Sequence, residues 1–204
     1  MDFNKVAKEW DNPERIERME ILSRKILESI ENPSEKTALE IGCGTGLLTT
    51  RLSKKLKEVA CFDTAEGMLQ ILKDKIENDD IKNISICSED ILTNEDFYEK
   101  FDLVYSCMVF HHIIDIEKEF ELLNRLLKKD GQVMIIDLDE EDGSFHMHDK
   151  DFSGHNGFNR NEFKAVLEKQ GFKDVVFETV FKGIKEFQDK KVEYSLFLCI
   201  AKKY

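Results

Sequence analysis

Hydrophobic residues follow two different spacings along this chain. Between Pro13 and Pro33, apolar residues recur every three or four positions and charged residues fill the others, which predicts one amphipathic surface helix that starts and stops at the two prolines. After Thr37, short apolar runs alternate with helical stretches. That alternation is typical of βα units around a parallel sheet, so we expect an N-terminal helix followed by an α/β domain.

Seven apolar runs after the first helix have the length of strands. They are residues 37–41, 59–62, 84–87, 103–109, 132–138, 175–181 and 192–201. Gly131 is predicted to end the helix before the fifth strand. Asn159 and Glu162 resemble a capping box at the start of a last helix, which Gly171 would close. No helical stretch separates the last two strands, so we expect an antiparallel hairpin with Gly183 in its connection, and hence a mixed sheet.

A glycine cluster marks the end of the first predicted strand. Residues 38–46 read ALEIGCGTG, and glycines at such a turn let the backbone approach a ligand closely. The G-x-G-x-x-G spacing of a dinucleotide-binding loop is not met, because Leu47 stands where its third glycine belongs. No Lys-Ser or Lys-Thr pair follows, which disfavours a P-loop, and Glu40 disfavours an anionic pyrophosphate. The cluster therefore predicts a ligand-binding turn that matches neither motif.

Carboxylates follow the next two strands. Asp63 ends the second strand, where a carboxylate can accept hydrogen bonds from both hydroxyls of a ribose, and Asp90 follows the third strand in the same manner. Either aspartate could instead cap the helix after it. In a doubly wound sheet of order 3-2-1-4-5, ligands bind beyond the carboxyl ends of strands 1 and 4. The glycine cluster and residues 106–112 end those strands, so a nucleoside is expected to extend from there toward the two acids.

Together these segments resemble the class I S-adenosylmethionine-dependent methyltransferases, particularly the small-molecule branch that includes quinone-biosynthesis enzymes and the methyltransferase type 11/12 domains. The matching segments are ALEIGCGTG, CFDTAEGML, SEDIL, FDLVYSCMVFHHI and LLKKDGQVMIIDL. They cover most of the chain, and Glu40 stands where Asp is commoner in the family. The implied cofactor is S-adenosyl-L-methionine, with S-adenosyl-L-homocysteine as its product.

The resemblance implies cofactor contacts in four of these segments. Glu40, Gly42, Cys43 and Gly44 are expected at the methionine part, Asp63 at the ribose, Thr64 and Met68 beside the adenosine, Asp90 and Ile91 at the adenine, and Ser106 or Cys107 near the sulfonium. We interpret Cys43 and Cys107 as small packing residues rather than nucleophiles, because no neighbour in sequence would lower the pKa of either thiol.

Methyl transfer from a sulfonium is an in-line displacement, so the enzyme must align the acceptor and exclude water. A base is needed only for a protonated acceptor, and His111 or His112 at the end of strand 4 is the catalytic candidate. The alternative is that one histidine packs under the next helix while the other orients the substrate. Trp10 lies in AKEWD, which resembles the family's N-terminal lid, and is expected either to cover the ligands or to anchor the helix.

Residues 137–158 form a stretch too long for a simple connection. The resemblance implies that they help to build the acceptor pocket, and the candidate lining residues are Phe145, His146, His148, Phe152 and His155. We assign Phe145 and His146 to the substrate together with Trp10. A zinc or iron ion on His146, His148 and His155 with a carboxylate is an alternative. Loops of mixed His and Asp are usually only solvated, so we predict no metal.

Composition and charge narrow the choice of partners. The chain has 204 residues, with 30 Lys and Arg against 42 Asp and Glu, and a formal net charge of −12, which repels nucleic acid and anionic membranes. No apolar run approaches the ~18 residues of a membrane span, and the N-terminus has no signal-peptide layout. Five dispersed cysteines without a CxxC pair argue against a disulfide framework. We therefore expect a soluble cytoplasmic protein.

These observations predict a single methyltransferase domain, residues 1–204, with a Rossmann-like, doubly wound α/β fold. Its seven-stranded mixed sheet is expected in the order 3-2-1-4-5-7-6, with residues 1–33 as an N-terminal helical lid, residues 34–204 as the core and residues 139–158 as an acceptor-side loop. The expected reaction is methyl transfer to a small molecule, with no nucleic-acid partner and no membrane insertion. The alternatives are a non-catalytic cofactor- or partner-binding module on the same fold and a nicotinamide-dependent oxidoreductase, which the glycine spacing disfavours.

Overall fold

A seven-stranded sheet forms the centre of the protein. The computed structural model describes residues 2–87, 89–149, 151–187 and 190–204, except for the side chains of Glu89, Asp90 and Phe187. The strands are β1 (Thr37–Ile41), β2 (Glu58–Phe62), β3 (Ile84–Ile86), β4 (Phe101–Cys107), β5 (Leu127–Leu138), β6 (Phe172–Phe187) and β7 (Lys190–Lys203). The helices are α1 (Phe3–Val6), α2 (Pro13–Glu28), α3 (Thr49–Leu52), α4 (Glu66–Asn78), α5 (Ile116–Leu126) and α6 (Arg160–Lys169).

The strand order is β3-β2-β1-β4-β5-β7-β6, which confirms the predicted topology. All neighbouring strands are parallel except β7, which runs antiparallel to both β5 and β6. Strands β1 and β4 are neighbours although two strands separate them in the chain. The connections leave these two strands in opposite directions, and the crevice beyond their carboxyl ends is where ligands bind in sheets of this kind.

Alternation along the strands gives the sheet two buried faces. Leu39 of β1 packs in one cluster with Phe120 of α5 and Phe163 of α6. Its neighbour Ala38 packs in a second cluster with Leu22 of α2 and the leucines around α3. Helices on both faces are what a parallel sheet requires, because its strands are apolar on both sides. Within the described residues, no helix is long and apolar enough to cross a membrane.

Local sequence signals explain where two of the helices begin. The side chain of Asn12 accepts a hydrogen bond from Arg15 N at 2.9 Å, and Pro13 occupies the first turn of α2, where its missing N–H costs nothing. Asn159 caps α6 in the same way, with Asn161 N at 3.0 Å and Glu162 N at 3.4 Å from its side-chain oxygen. The predicted cap of the last helix is therefore confirmed.

Three sequence predictions of where a helix or strand ends were wrong. Helix α5 ends at Leu126 and β5 begins at Leu127, because Leu127 already pairs with Phe101 before a register shift in that ladder. Gly131 therefore lies inside β5 rather than at a helix end. Gly183 lies inside β6 opposite Tyr194, and a Cβ there would lie 2.7 Å from the tyrosine ring. Helix α2 ends at Glu28, and Pro33 starts a separate 3₁₀ turn.

Candidate active site

One cavity of about 570 Å³ lies beyond the carboxyl ends of β1, β2 and β4. The glycine cluster forms its floor, and the ends of β2 and β4 form two of its walls. The N-terminal residues Phe3 and Trp10 and two arginines of α2 complete the lining. The volume falls in the range of about 300–1,000 Å³ typical of pockets for small ligands and cofactors.

The glycine cluster needs its glycines for two different reasons. Gly42, Gly44 and Gly46 have φ angles of +70°, +54° and +76°, a region that other residues rarely adopt. A Cβ on Gly42 would also lie 2.4 Å from the side chain of Val109, and one on Gly46 would lie 2.3 Å from Leu72. A Cβ on Gly44 would meet nothing within 4 Å. Gly44 therefore opens onto the cavity, while the other two glycines permit close packing beneath it.

Asp63 connects the glycine cluster to the start of α4. One of its carboxylate oxygens accepts a hydrogen bond from Gly44 N at 2.7 Å, and the other accepts one from Ala65 N at 2.8 Å. Each carboxylate oxygen has a second lone-pair direction, and Asp63 lines the cavity. The side chain is thus fixed in place by the backbone while it can still accept hydrogen bonds from a ligand.

Glu40 is a buried carboxyl at the base of the cavity. Its exposed fraction is 2%, and its Oε2 accepts hydrogen bonds from Thr49 Oγ1 at 2.6 Å and from the hydroxyl of Tyr105 at 2.9 Å. Burial raises the pKa of Glu40 to about 8, against the opposing effect of these two hydrogen bonds. Glu40 is therefore mostly protonated near neutral pH, so the cavity floor carries less negative charge than the sequence implies.

The N-terminal segment is fastened across the glycine cluster. The carboxylate of Asp11 accepts a hydrogen bond from Thr45 Oγ1 at 2.5 Å and pairs with Lys75 Nζ at 2.6 Å. At the other end of the segment, the side-chain oxygen of Asn4 accepts a hydrogen bond from Gly67 N at 2.8 Å. These contacts fix the segment beside the cavity, which Phe3 and Trp10 line; its role as a lid stays a prediction.

Removal of the Asp11 carboxylate should release this segment without unfolding the sheet. We expect Asp11→Ala to increase protease cleavage before residue 13 severalfold, because the lid would lose its ion pair and its hydrogen bond to the glycine cluster. A partly exposed pair of this kind contributes about 1 kcal/mol, so the melting temperature should change by only a few degrees. Limited proteolysis with Glu9→Ala as the exposed control checks this, and equal cleavage of the two variants would contradict it.

Arg15 and Arg18 bring positive charge to one end of the cavity. The guanidinium of Arg15 lies 4.0 Å from the ring centre of Trp10 and donates a hydrogen bond to Trp10 O at 3.1 Å. Arg18 donates to the hydroxyl of Tyr194 at 3.0 Å, and its buried Nε has no hydrogen-bond partner among the described residues. No ion pair joins either arginine to a carboxylate in the part of the chain that the structure describes. Two unpaired cations in a chain of net charge −12 favour an anionic ligand group.

The two histidines after β4 have different surroundings. His112 lines the cavity, and burial and the neighbouring His111 lower its pKa to about 4, so its ring is uncharged near neutral pH. His111 is 2% exposed and does not line the cavity; its Nδ1 lies 2.6 Å from Asp137 Oδ1. Of the two predicted bases, only His112 can touch a molecule in the cavity.

Residues 139–158 form a loop whose ends meet. Asp139 and Phe158 pair through a parallel bridge, and His155 N donates to His111 O at 2.7 Å, which fastens the loop to the end of β4. Neither Phe145 nor His146 lines the cavity. Phe145 packs against Tyr194 with ring centres 5.0 Å apart, so the loop lies behind the cavity wall rather than in it.

Most, but not all, of the residues expected at the site line the cavity. Those that do are Trp10, Glu40, Gly42, Cys43, Gly44, Asp63, Thr64, Met68, Cys107 and His112. Those that do not are Ile91, Ser106, His111, Phe145 and His146. Ile91 is fully buried in the core, and Ser106 turns inward to donate to Ile41 O at 3.0 Å. The side chain of Asp90 lies outside the described residues.

Comparison with known proteins identifies the family to which this fold and cavity belong. A family model described as a methyltransferase domain matches residues 14–176. The chain belongs to this methyltransferase family. An uncharacterized methyltransferase of Schizosaccharomyces pombe is 25% identical over 185 residues, covering 71% of this chain and 65% of the relative. One from Bacillus mycoides is 31% identical over 147 residues, covering 67% of each protein, so the chain spans about two thirds of the length of these relatives.

A solved structure supports the same assignment of the fold. The S-adenosylmethionine-dependent methyltransferase of Aquifex aeolicus superposes with a TM-score of 0.73 at 20% identity, covering 98% of both chains. The Rossmann-like fold expected from the sequence is therefore confirmed, and the family model confirms the expected methyltransferase family. S-adenosylmethionine is the methyl donor that the family resemblance implies for this cavity.

Sequence reasoning missed several residues of the cavity wall. They are Phe3, Arg15, Arg18, Met19, Leu92, Met108 and Glu119. The sequence places Arg15 and Arg18 among the charged positions of the first helix, although their position just after Trp10 of the expected lid is a usable signal. Glu119 offers no such signal, since it sits among the charged residues of α5. Its Oε1 is buried without a hydrogen-bond partner among the described residues, and burial raises the pKa of its carboxyl.

Proposed function

We propose that this chain transfers the methyl group of S-adenosylmethionine to a small anionic molecule bound in the same cavity. The observation that carries the proposal is that two chemically different sets of residues line the same cavity. Gly44, Asp63 and Met68 line one side, and Arg15, Arg18 and His112 also line the space. A donor and an acceptor held in one cavity gain the proximity and exclusion of water that methyl transfer requires.

The glycine-cluster side suits the cofactor. Asp63 has lone pairs available for the ribose hydroxyls, and Thr64, Met68 and Leu92 lie on the walls where the adenosine would extend. The open position above Gly44 suits the methionine part, whose ammonium group would meet oxygen acceptors rather than cations. The assignments of Gly44, Asp63, Thr64 and Met68 follow the roles that the family resemblance implies for these positions, whereas that of Leu92 rests on its place in the cavity wall.

The arginine side suits an acceptor that carries a carboxylate or a phosphate. Guanidinium groups bind both through charge-assisted hydrogen bonds, and Arg15 and Arg18 both line the cavity. The carboxylate of the cofactor's methionine part has the same chemistry, so the two sources must be separated by experiment. A cavity of this volume also favours a small molecule over a macromolecular acceptor.

His112 is the residue that we propose acts on the acceptor. Burial and the neighbouring His111 lower its pKa to about 4, so its ring is uncharged near neutral pH. It can accept a hydrogen bond from an acceptor hydroxyl or thiol and orient it toward the methyl group, whereas so low a pKa makes it a weak base for removing the proton. His111 has the position of a supporting residue, since Asp137 holds its ring out of the cavity wall.

Titration with S-adenosylhomocysteine, with NAD as the comparison ligand, tests the cofactor. We expect S-adenosylhomocysteine to bind with a Kd of roughly 1 μM, which corresponds to about −8 kcal/mol, and NAD not to bind. Release of S-adenosylhomocysteine from S-adenosylmethionine over a panel of carboxylic acids, phosphate esters and their neutral analogues then tests the reaction. Binding without turnover on any class would favour a non-catalytic module, and binding of NAD alone would favour an oxidoreductase.

Replacement of Arg18 separates the two sources of negative charge. We expect Arg18→Ala to raise the KM for an anionic acceptor about 10- to 100-fold, because a hydrogen bond to a charged group contributes about 1.5–3 kcal/mol, while the Kd for S-adenosylhomocysteine changes less than about threefold. Arg24→Ala, an exposed arginine on the same helix, is the control. A weaker Kd for S-adenosylhomocysteine with an unchanged KM would assign Arg18 to the cofactor carboxylate instead.

A further inference from the structure

Three histidines from two distant parts of the chain meet beside the cavity. His111 and His112 follow β4, and His146 comes from the loop of residues 139–158. One ring nitrogen from each lies within 4.8 Å of the others, and the ring centres of His111 are 4.2 Å from His112 and 5.0 Å from His146. Ligand nitrogens around a tetrahedral metal ion lie about 3.4 Å apart, so ring rotations of about 1 Å would bring the three to bonding distance.

Asp137 prepares His111 to act as a metal ligand. The buried carboxylate lies 2.6 Å from His111 Nδ1, and the backbone N–H of Leu138 holds the same oxygen at 2.7 Å. A carboxylate at Nδ1 fixes the proton on that nitrogen and leaves the lone pair of Nε2 free. This carboxylate–histidine arrangement is the usual support of a metal-bound imidazole.

Packing fixes the ring of His146, and one of its nitrogens has no hydrogen-bond partner within residues 2–87, 89–149, 151–187 and 190–204. Its exposed fraction is 8%, and its ring stacks on Phe152 with centres 3.7 Å apart and planes 5° apart. Its Nδ1 is buried and has no hydrogen-bond partner among the described residues. A buried polar nitrogen without a partner is unfavourable, and a metal ion is one group that would satisfy it.

We propose that His111, His112 and His146 bind one divalent transition-metal ion such as Zn²⁺ at the cavity wall. Three imidazoles supported by a carboxylate are a set that zinc prefers. Because His112 lines the cavity, we infer that an open coordination position of the ion faces the acceptor.

A role for the ion in methyl transfer rests on the proposed function. An acceptor hydroxyl bound to the ion would lose its proton to solvent more readily than a free hydroxyl, because the ion stabilises the oxyanion. The oxygen lone pair then forms the bond to the methyl carbon. The carbon–sulfur bond breaks, its electron pair stays on sulfur, and neutral S-adenosylhomocysteine results. The lone pair of His112 is then used for coordination, and solvent rather than this ring takes the proton.

The metal set differs from the alternative that the sequence suggested. That alternative joined His146 to His148 and His155, but His155 Nε2 lies 2.9 Å from Ile113 O and serves to fasten the loop. In the proposed metal site, His111 and His112 stand in place of His148 and His155. Only the fold brings them to His146, since 34 residues separate His112 from His146 in the sequence.

Calorimetric titration of the chelator-treated, full-length chain with Zn²⁺ tests the proposal, with Co²⁺ as a visible-absorbing probe of nitrogen coordination. We expect one ion per chain with a Kd of about 1 μM or below. His112→Ala and His146→Ala should each weaken binding by more than the roughly 10- to 100-fold expected for a supporting residue, and Asp137→Asn by about that amount. His148→Ala, on the same loop, is the matched control and should bind as the wild type does.

Binding of S-adenosylhomocysteine by each variant shows that it is folded and keeps the two proposals separate. A wild-type chain that binds S-adenosylhomocysteine but neither Zn²⁺ nor Co²⁺ overturns the metal site and leaves the proposed function intact. Zinc affinity that is unchanged in both His112→Ala and His146→Ala also overturns it. Zinc binding that these variants lose, in a chain that binds no S-adenosylhomocysteine, supports the metal site and contradicts the proposed function.

Discussion

Asp63→Ala is expected to weaken binding of S-adenosylhomocysteine by about 100-fold or more. Each hydrogen bond from a ribose hydroxyl to this carboxylate should contribute about 1.5–3 kcal/mol, and two of them reach about 3 kcal/mol, where 1.4 kcal/mol is tenfold in Kd. In the wild type, Gly44 N and Ala65 N donate hydrogen bonds to Asp63, and the variant removes the acceptor of both. A looser glycine cluster would add to the loss.

Calorimetry and thermal unfolding together check this result. Asp74→Ala removes the same charge from an exposed position on α4 and should leave the Kd unchanged. Asp63→Asn keeps one oxygen acceptor and should show an intermediate loss. If Asp63→Ala bound S-adenosylhomocysteine as tightly as the wild type, the ribose assignment would be wrong, whatever the change in melting temperature.

We expect the free energy of unfolding of the wild type to fall as pH rises, and we expect Glu40→Gln to remove this fall. The ordinary pKa of this carboxyl, 4.5, applies in the unfolded chain, whereas burial raises it to about 8 in the folded protein. Between these values the folded state holds a proton that the unfolded state has lost, so the free energy of unfolding falls as pH rises. The destabilisation is absent below pH 4.5 and complete above about pH 8.

The slope for one such proton approaches about 1.4 kcal/mol per pH unit. Denaturant unfolding of wild type and Glu40→Gln between pH 5 and 7.5 should therefore show the variant gaining on the order of 2–3 kcal/mol relative to the wild type. Glu58→Gln, an exposed change at the start of β2, is the control for the loss of charge. Parallel pH profiles for wild type and Glu40→Gln would show that Glu40 is ionised in the folded protein.

The sheet was predictable from the sequence because its strands are buried on both faces and therefore carry unbroken apolar runs. The strand order was the one implied by the resemblance to the methyltransferase family, with the glycine cluster at the switch point of its doubly wound sheet. The ends of α5 and β6 were not predictable. Glycines such as Gly131 and Gly183 are typical of turns. Pairing of Leu127 with Phe101 starts β5 before Gly131, however, and pairing of Gly183 with Tyr194 continues β6 through Gly183.

The glycine-cluster side of the cavity was predictable because short local segments form it. Gly42, Gly44 and Asp63 belong to short segments whose conformation places them at strand ends. The arginine side was not, since Arg15 and Arg18 sit on a helix surface that is exposed until the sheet packs beneath it. The histidine cluster depends on contact between the end of β4 and a distant loop, and local sequence contains no information on that contact.

The fastening of Asp11 to Thr45 and Lys75 has a kinetic consequence. Phe3 and Trp10 form part of the cavity wall, so we expect a spent cofactor to leave only after the N-terminal segment lifts and the ion pair with Lys75 opens. Salt weakens such a partly exposed pair. We therefore expect the rate of product release, and with it the turnover number if release is slower than transfer, to rise with ionic strength while the chemical step itself does not change.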